Sequence, residues 1–406
     1  MYSRECRWAR VRVEPAQVDL CGLDKSFKMV YDQPVSRGRD PLGFDRRQIE
    51  MDRTAQFLKE LTEAPGVSGY ESQVRALMRR YLEPVATIEQ DRIGSIIGKR
   101  VGQAESPRVM LVGHMDEIGF MVRHVTKEGF VKFQPLGGWW DQVLLGQRVT
   151  IKTSKGDVNG VIGAKPPHLL PQDERKKVVE KKDMYIDIGA TSREGVAGAG
   201  VRVGDPIIPV SEFTVLANPQ TYMAKAFDNR VGCALAIQTL ERLAKEEHPN
   251  AAYAVGTVME EVGLRGAKTT AHVVDPDVAI ILEVDICGDV PGIEEDESAV
   301  KLGGGPTLLV YDARMIPNLK LRDLVIATAE ELGMPLQFST MAGGATDGGM
   351  IHMHNEGVPT VVIGVPTRHI HSHAAIMHRD DYDRALDLVV ALVKKLDTAT
   401  VKDLTA

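Results

Sequence analysis

The chain has 406 residues, a formal net charge of -7, 43% hydrophobic and 26% charged residues. That is the composition of a globular protein with roughly two cores, or one large α/β core carrying an insertion. The acidic balance argues against nucleic-acid and anionic-membrane partners, and no apolar run approaches the ~18 residues a membrane-spanning helix needs.

Residues 1–50 show no sustained periodicity and are mixed in charge and rich in turns. They are predicted to be a non-core N-terminal extension, or an over-read start upstream of Met51. Arg4, Arg7, Arg10 and Arg12 are not followed by the apolar core of a signal peptide. The four cysteines, Cys6, Cys21, Cys233 and Cys287, form no CxxC pair, which fits a reducing compartment and predicts a cytoplasmic protein.

From Met51 the pattern changes. Phe57, Leu58 and Leu61 predict a helix stopped by Pro65 and Gly66, and Val74, Leu77, Met78 and Tyr81 predict a second. A buried strand follows at "RVMLVGHMDE". Residues 119–216 then break into short β-rich runs between glycines, with an exposed charged loop at "PQDERKKVVEKKD". After residue 217 strands and helices alternate: a helix with Val231, Leu235, Leu240 and Leu243, strands "AAYAVGTVM" and "AIILEVD", a helix from Leu319, a strand "TVVIGVP" and a final helix from Asp380. The expected fold is α/β. A mixed sheet with helices on both faces would be built from 51–118 and 217–406 and interrupted by a small β-rich domain at 119–216.

Polar residues collect where the strands end. His114 and Asp116 follow the first buried strand, Asp228 opens a helix, and Glu260 and Glu261 follow another strand. Asp285 ends "AIILEVD", and "PTRHIHSHAAIMH" carries His369, His371, His373 and His378. Each has a bland reading alone: a structural histidine, a helix cap, a solvated loop charge. Together they do not, because four of the five groups stand at the C-terminal edge of strands, where open α/β sheets place their sites. Buried carboxylates need a partner or a metal. Two imidazoles and three carboxylates suit a pair of divalent ions such as zinc, cobalt or manganese, which can polarise a carbonyl and activate water. A free carboxylate beyond the ligands would then serve as general base. No nucleophile elbow or P-loop is present, and a glycosidase pair would leave His114 and His371 idle.

Nine blocks in order, "PGVSGYE", "GHMDEIGF", "YIDIGATSRE", "GVRVGDP", "AFDNRVG", "EEVGLRGA", "EVDICGDVPG", "GGATDGG" and "GVPTRHIHS", span most of the chain after Met51. With them the chain resembles metallopeptidase family forty-two, the glutamyl and tetrahedral (TET) aminopeptidases of the di-metal co-catalytic exopeptidases. The resemblance implies hydrolysis of the N-terminal residue of peptides with two divalent ions per subunit, zinc or cobalt foremost and manganese as a third option. His114 and Asp285 would hold one ion, Glu261 and His371 the other, and Asp228 would bridge them. Glu260 would be the general base and Asp116 would orient His114. The inserted domain would be PDZ-like or barrel-like and serve dimerisation, with homo-oligomers from dimers up to tetrahedral dodecamers. His369 departs from the tyrosine usual in the family. The residues alone do not choose among His369, His371 and His373, which on a strand would share one face; alignment with the family selects His371. Thr346 and Asp347 are expected near the pocket, and Cys287 as a small core residue. Two alternatives on the same ligand set are a glycan hydrolase and an N-acyl amino acid deacylase.

Overall fold

The computed structural model describes residues 51–406; the extension expected at 1–50 lies outside the described residues. Four parallel strands form the centre of an eleven-stranded sheet, side by side in the order Ala251–Thr257, Arg108–His114, Val278–Ile286 and Thr360–Arg368. Antiparallel strands extend both flanks. Ile96–Val101 and Thr87–Gln90 lie beyond Ala251–Thr257, and Ala375–His378, Thr221–Ala224 and Thr214–Val215 lie beyond Thr360–Arg368.

The central strands read as almost continuous apolar runs because both faces are covered. Alternate residues feed two separate cores. Val109, Leu111, Ala252, Ala254, Ile280 and Leu282 pack into the larger core. Met110, Val112, Tyr253, Val255, Ala279 and Ile281 pack into the smaller one, on the side of helix Arg265–Val274. Helix Phe227–Leu243 lies in the larger core and is buried on almost every side, so its apolar residues extend well beyond the expected Val231–Leu243 stripe. It meets strand Arg108–His114 backbone to backbone at Gly113 and Gly232.

A second unit of structure runs from Gly119 to Pro209. Six strands, Gly119–Val125, Val131–Leu136, Arg148–Thr153, Gly156–Gly163, Tyr185–Asp187 and Pro206–Pro209, close into a barrel. Its own core includes Phe120, Phe133, Val149, Ile151 and Ile207, with Trp139 stacked on Phe120 at 4.9 Å between ring centroids. Most of residues 171–183 are exposed and carry no strand, as the charge run predicts.

A buried polar knot ties the first helix to the centre. The Arg230 guanidinium donates to the carbonyls of Leu61, Ala64 and Gly66, satisfying the end of helix Arg53–Glu63. Glu117 lies 3.6 Å from Arg230 and accepts from the Lys225 ammonium at 2.6 Å. Cys233 and Cys287 are free and buried.

At Gly113 a Cβ would fall 2.4 Å from the Cys233 nitrogen and 2.4 Å from the Gly232 carbonyl carbon. Backbone atoms cannot swing aside. Gly113→Ala is therefore expected to destabilise the protein by about 1–3 kcal/mol. Chemical denaturation should show a lower midpoint at unchanged slope.

Candidate metal centre

The site forms at the C-terminal ends of the parallel strands, and register decides which side chains arrive there. Thr257 pairs with His114 across neighbouring strands. On the other side Ile281 pairs with Val112, so Glu283, two residues further, stands level with His114. His114 follows Val112 and Glu283 follows Ile281, so both project to the face of the smaller core.

Both histidines are held the same way. His114 Nδ1 donates to the Asp116 carbonyl at 3.0 Å, and His371 Nδ1 donates to the Gly138 carbonyl at 2.7 Å. Each Nε2 is thereby turned into a carboxylate cluster. His114 Nε2 lies 3.0 Å from Asp228 Oδ1, 3.9 Å from Glu260 Oε2 and 4.0 Å from Glu283 Oε1. His371 Nε2 lies 3.4 Å from Asp228 Oδ2 and 3.5 Å from Glu261 Oε1. Asp228 thus spans the two imidazoles with one oxygen toward each. His114, Asp228 and Glu261 offer ligand atoms within 4.8 Å of one another.

The Glu260–Glu261 segment is fixed by its backbone. Asp116 Oδ1 accepts the Glu260 amide at 2.9 Å, and Asp116 Oδ2 accepts the Glu261 amide at 3.2 Å and the Ser68 hydroxyl at 2.6 Å. The expected orientation of His114 by Asp116 comes chiefly through the Asp116 carbonyl, since its carboxylate stands 3.5 Å from Nδ1. Of seven non-glycine residues with positive φ among the described residues, Ala226, Met259, Leu264, His369 and His371 flank the site. Left-handed backbone at such positions is held by surrounding structure and gathers at functional sites.

Burial and mutual repulsion dominate the electrostatics. Burial drives the Glu260 and Glu283 carboxyls well above their ordinary range. Burial, then the Asp228 charge, pushes Glu261 up to about 8. Burial opposes ionisation of Asp228 as well, yet hydrogen bonds from His114 and His371 hold it below the usual carboxylate range. His371, disfavoured as a cation by burial, is raised to about 10 by Asp228 and Glu261. Glu261 Oε1 is buried with no hydrogen-bond donor. Carboxylates crowded at the base of a cavity, a buried oxygen without a donor among them, and two imidazoles with Nδ1 pinned and Nε2 presented make a donor set that fits divalent cations.

One expected ligand stands apart from the cluster. Asp285 is not brought to the cluster: its Oδ2 accepts the Ser339 hydroxyl and its Oδ1 the Ile286 amide at 2.8 Å. Glu283 stands in its place. Residues 283 and 285 share a strand face, so the side-chain pattern favoured neither, and only the register against His114 separates them. The histidine run also differs from a strand, which stops at Arg368. His369 is exposed on the cavity wall. His373 is buried against Trp139 at 5.2 Å, and burial, then the Lys225 charge, lowers it to about 4. Only His371 joins the cluster. Thr346 and Cys287 line the cavity, while Asp347 is buried and accepts the Thr257 hydroxyl at 2.5 Å. Gly138 is an unforeseen contributor. It follows a barrel strand, and at neighbouring Gly137 (φ +86) a Cβ would press to 3.0 Å from Glu261 Oε2. The cluster opens into a cavity of about 1150 Å³.

Comparison with known proteins points one way. The family model described as M42 glutamyl aminopeptidase matches residues 94–388. A TET aminopeptidase structure from a marine sediment Thaumarchaeota archaeon is 51% identical, covers 87% of this chain and 99% of its own, and superposes with a TM-score of 0.86. The glutamyl aminopeptidase of Lactococcus lactis subsp. cremoris is 35% identical over 86% of this chain and 98% of its own. The structure of the Pyrococcus horikoshii TET1 peptidase, described as able to assemble into a tetrahedron or a large octahedral shell, is 32% identical, with coverage of 84% and 100% and a TM-score of 0.77.

The shifted acids link stability to pH when no cation balances them. Glu261, with its folded value raised to about 8, contributes stability that is complete below its unfolded value and lost as pH rises through about 8. His371, raised to about 10, contributes stability complete below its unfolded value and lost toward about 10. Both slopes have the same sign. Chelator-treated protein should therefore melt at a lower temperature at about pH 8 than at about pH 5.5, and Glu261→Gln should flatten that difference. A melting temperature that rises over this window would contradict the assignment.

Proposed function

The chain belongs to the M42 glutamyl aminopeptidase family, and from that premise we propose that it is a metal-dependent aminopeptidase that releases the N-terminal residue of peptides. The observation that carries the reading is the pair of imidazoles, each with Nδ1 bound to a main-chain carbonyl and Nε2 facing buried carboxylates. In this reading His114 and Glu283 would hold one divalent ion and Glu261 and His371 a second, with Asp228 available to both. Glu283 takes the role expected of Asp285. Zinc or cobalt suits the mixed imidazole and carboxylate donors, with manganese also compatible.

Bound there, two cations would polarise the scissile carbonyl and make water more acidic. The chain's own residues supply the remainder. Glu260 is the carboxylate left over, buried beside His114 and strongly shifted toward the neutral acid. A base with a raised value can accept a proton from the attacking water and release it near neutral pH. The water oxygen bonds to the carbonyl carbon, the C–N bond breaks, and Glu260 returns the proton to the leaving amine. Asp116 acts indirectly: its carboxylate fixes the amides of Glu260 and Glu261, so the two side chains diverge from one anchored segment. The cavity beside them is large enough for the first residues of a peptide.

Assembly into a homo-oligomer, through the barrel at 119–209, belongs to the same proposal. It is supported by the assemblies described for the Pyrococcus horikoshii relative. A cytoplasmic location is proposed on the cysteine usage; among the described residues no helix is long and apolar enough to cross a membrane.

Glu260→Gln is expected to keep its metal content and lose about 10²–10⁴-fold in kcat on aminoacyl chromogenic substrates. Asp228→Ala should instead lose metal, read by elemental analysis. Chelation should abolish the wild-type activity and added zinc or cobalt should restore it. A cellulose oligomer and an N-acetylated amino acid run beside the peptide substrates separate the glycan hydrolase and deacylase alternatives. Sugar release, or deacylation faster than peptide cleavage, would overturn the reading.

A further inference from the structure

Asp285 is a buried carboxylate left without a task by its displacement from the metal cluster. It is 8% exposed, lines the cavity, and forms no ion pair with any lysine or arginine among the described residues. Its hydrogen bonds come from the Ser339 hydroxyl and the Ile286 amide. On the neighbouring strand a Cβ at Gly364 would fall 2.4 Å from the Thr307 Oγ1, 3.1 Å from the Asp285 Cβ and 3.5 Å from its Oδ2, so on this side a neutral hydroxyl, and no lysine or arginine, stands beside the carboxylate. A charge buried in this way is stable when a cation meets it.

Its place in the cavity defines the cation. Asp285 lies one strand period beyond Glu283 on the same face, about 6.6 Å along the strand. That distance is comparable with the reach of an extended lysyl or arginyl side chain. The cavity wall adds apolar surface from Ile293, Val300, Leu309 and Phe338, suited to an aliphatic stem ending in a charge. At its mouth stand the exposed acids Glu295, Asp296 and Glu297, and Arg314 is the only lysine or arginine on the wall among the described residues.

We propose that Asp285 is the specificity-determining residue of this cavity and selects peptides with N-terminal lysine or arginine. The inference rests on the aminopeptidase reading above. An N-terminal glutamate would bring a second carboxylate against Asp285 and is rejected by like charge. The preference is thus opposite in sign to the glutamyl activity in the family's description.

The test is a panel of lysyl, arginyl, leucyl and glutamyl fluorogenic substrates on metal-loaded protein, with a calorimetric comparison of free L-lysine and L-glutamate binding. Wild type is expected to cleave the lysyl and arginyl substrates with kcat/KM at least about 100-fold above the glutamyl one, and to bind L-lysine more tightly than L-glutamate. In Asp285→Asn the lysyl-to-leucyl ratio of kcat/KM should fall by about 30-fold, and in Ser339→Ala it should fall by less. Equal cleavage of glutamyl and lysyl substrates, or an unchanged ratio in Asp285→Asn, overturns the assignment and leaves the aminopeptidase reading intact. Cleavage of no substrate in the panel defeats that reading and this inference with it. If Asp285→Asn does not fold, the wild-type ratio and the binding comparison still decide.

Discussion

Like charges buried together repel, and this chain concentrates Asp228, Glu260, Glu261 and Glu283 around only two imidazoles. Burial and neighbouring charge lift the three glutamates well away from ordinary carboxylate behaviour. Such a cluster persists only if the surrounding fold holds it. Asp116 grips the amides of Glu260 and Glu261, Asp116 and Gly138 pin the imidazoles, and left-handed backbone at Ala226, Met259 and His371 turns the segments inward. Every one of these anchors is a main-chain contact or a main-chain conformation, so the backbone fixes where the acids and the two imidazoles stand.

The parallel sheet supplies the common edge. Neighbouring strands in register bring Thr257, His114 and Glu283 to one level and one face, although they lie far apart in the chain. The barrel, with its own core, closes the site from outside by offering the Gly138 carbonyl and the glycine surface beside Glu261. Glu117, one residue after Asp116, pairs with Lys225, three residues before Asp228, and so ties two segments of the candidate site together. The candidate site is therefore completed where the barrel meets the sheet, at the Gly138 carbonyl beside His371.

The cavity divides its acids by depth along one strand. Glu283 is near His114, while Asp285 is engaged by Ser339 and lines the same cavity. In the proposed reading the first belongs to chemistry and the second to choice of substrate. A strand places successive same-face side chains at fixed intervals, so one rigid element can serve both purposes without a loop having to position either.

Much of this was legible in the sequence. Apolar runs ending in acids and histidines identified the strands and the edge that carries the site, since hydrophobic patterning and polar punctuation are local properties of the chain. The block order identified the family, and His114, Asp228, Glu260, Glu261 and His371 do converge. What stayed hidden was set by distance and register. Glu283 and Asp285 present the same face, and only pairing with Arg108–His114 brings the former to the cluster. On a strand the three spaced histidines would share one face, but the chain leaves the strand at Arg368 and turns left-handed at His369 and His371. Gly138 carries no side-chain signal at all; its contribution is a carbonyl that matters only once the barrel folds against the sheet. Composition and pattern determine which groups are available and what chemistry they suit. Tertiary structure decides which of them meet, because meeting depends on strand register and on main-chain contacts between residues remote in sequence.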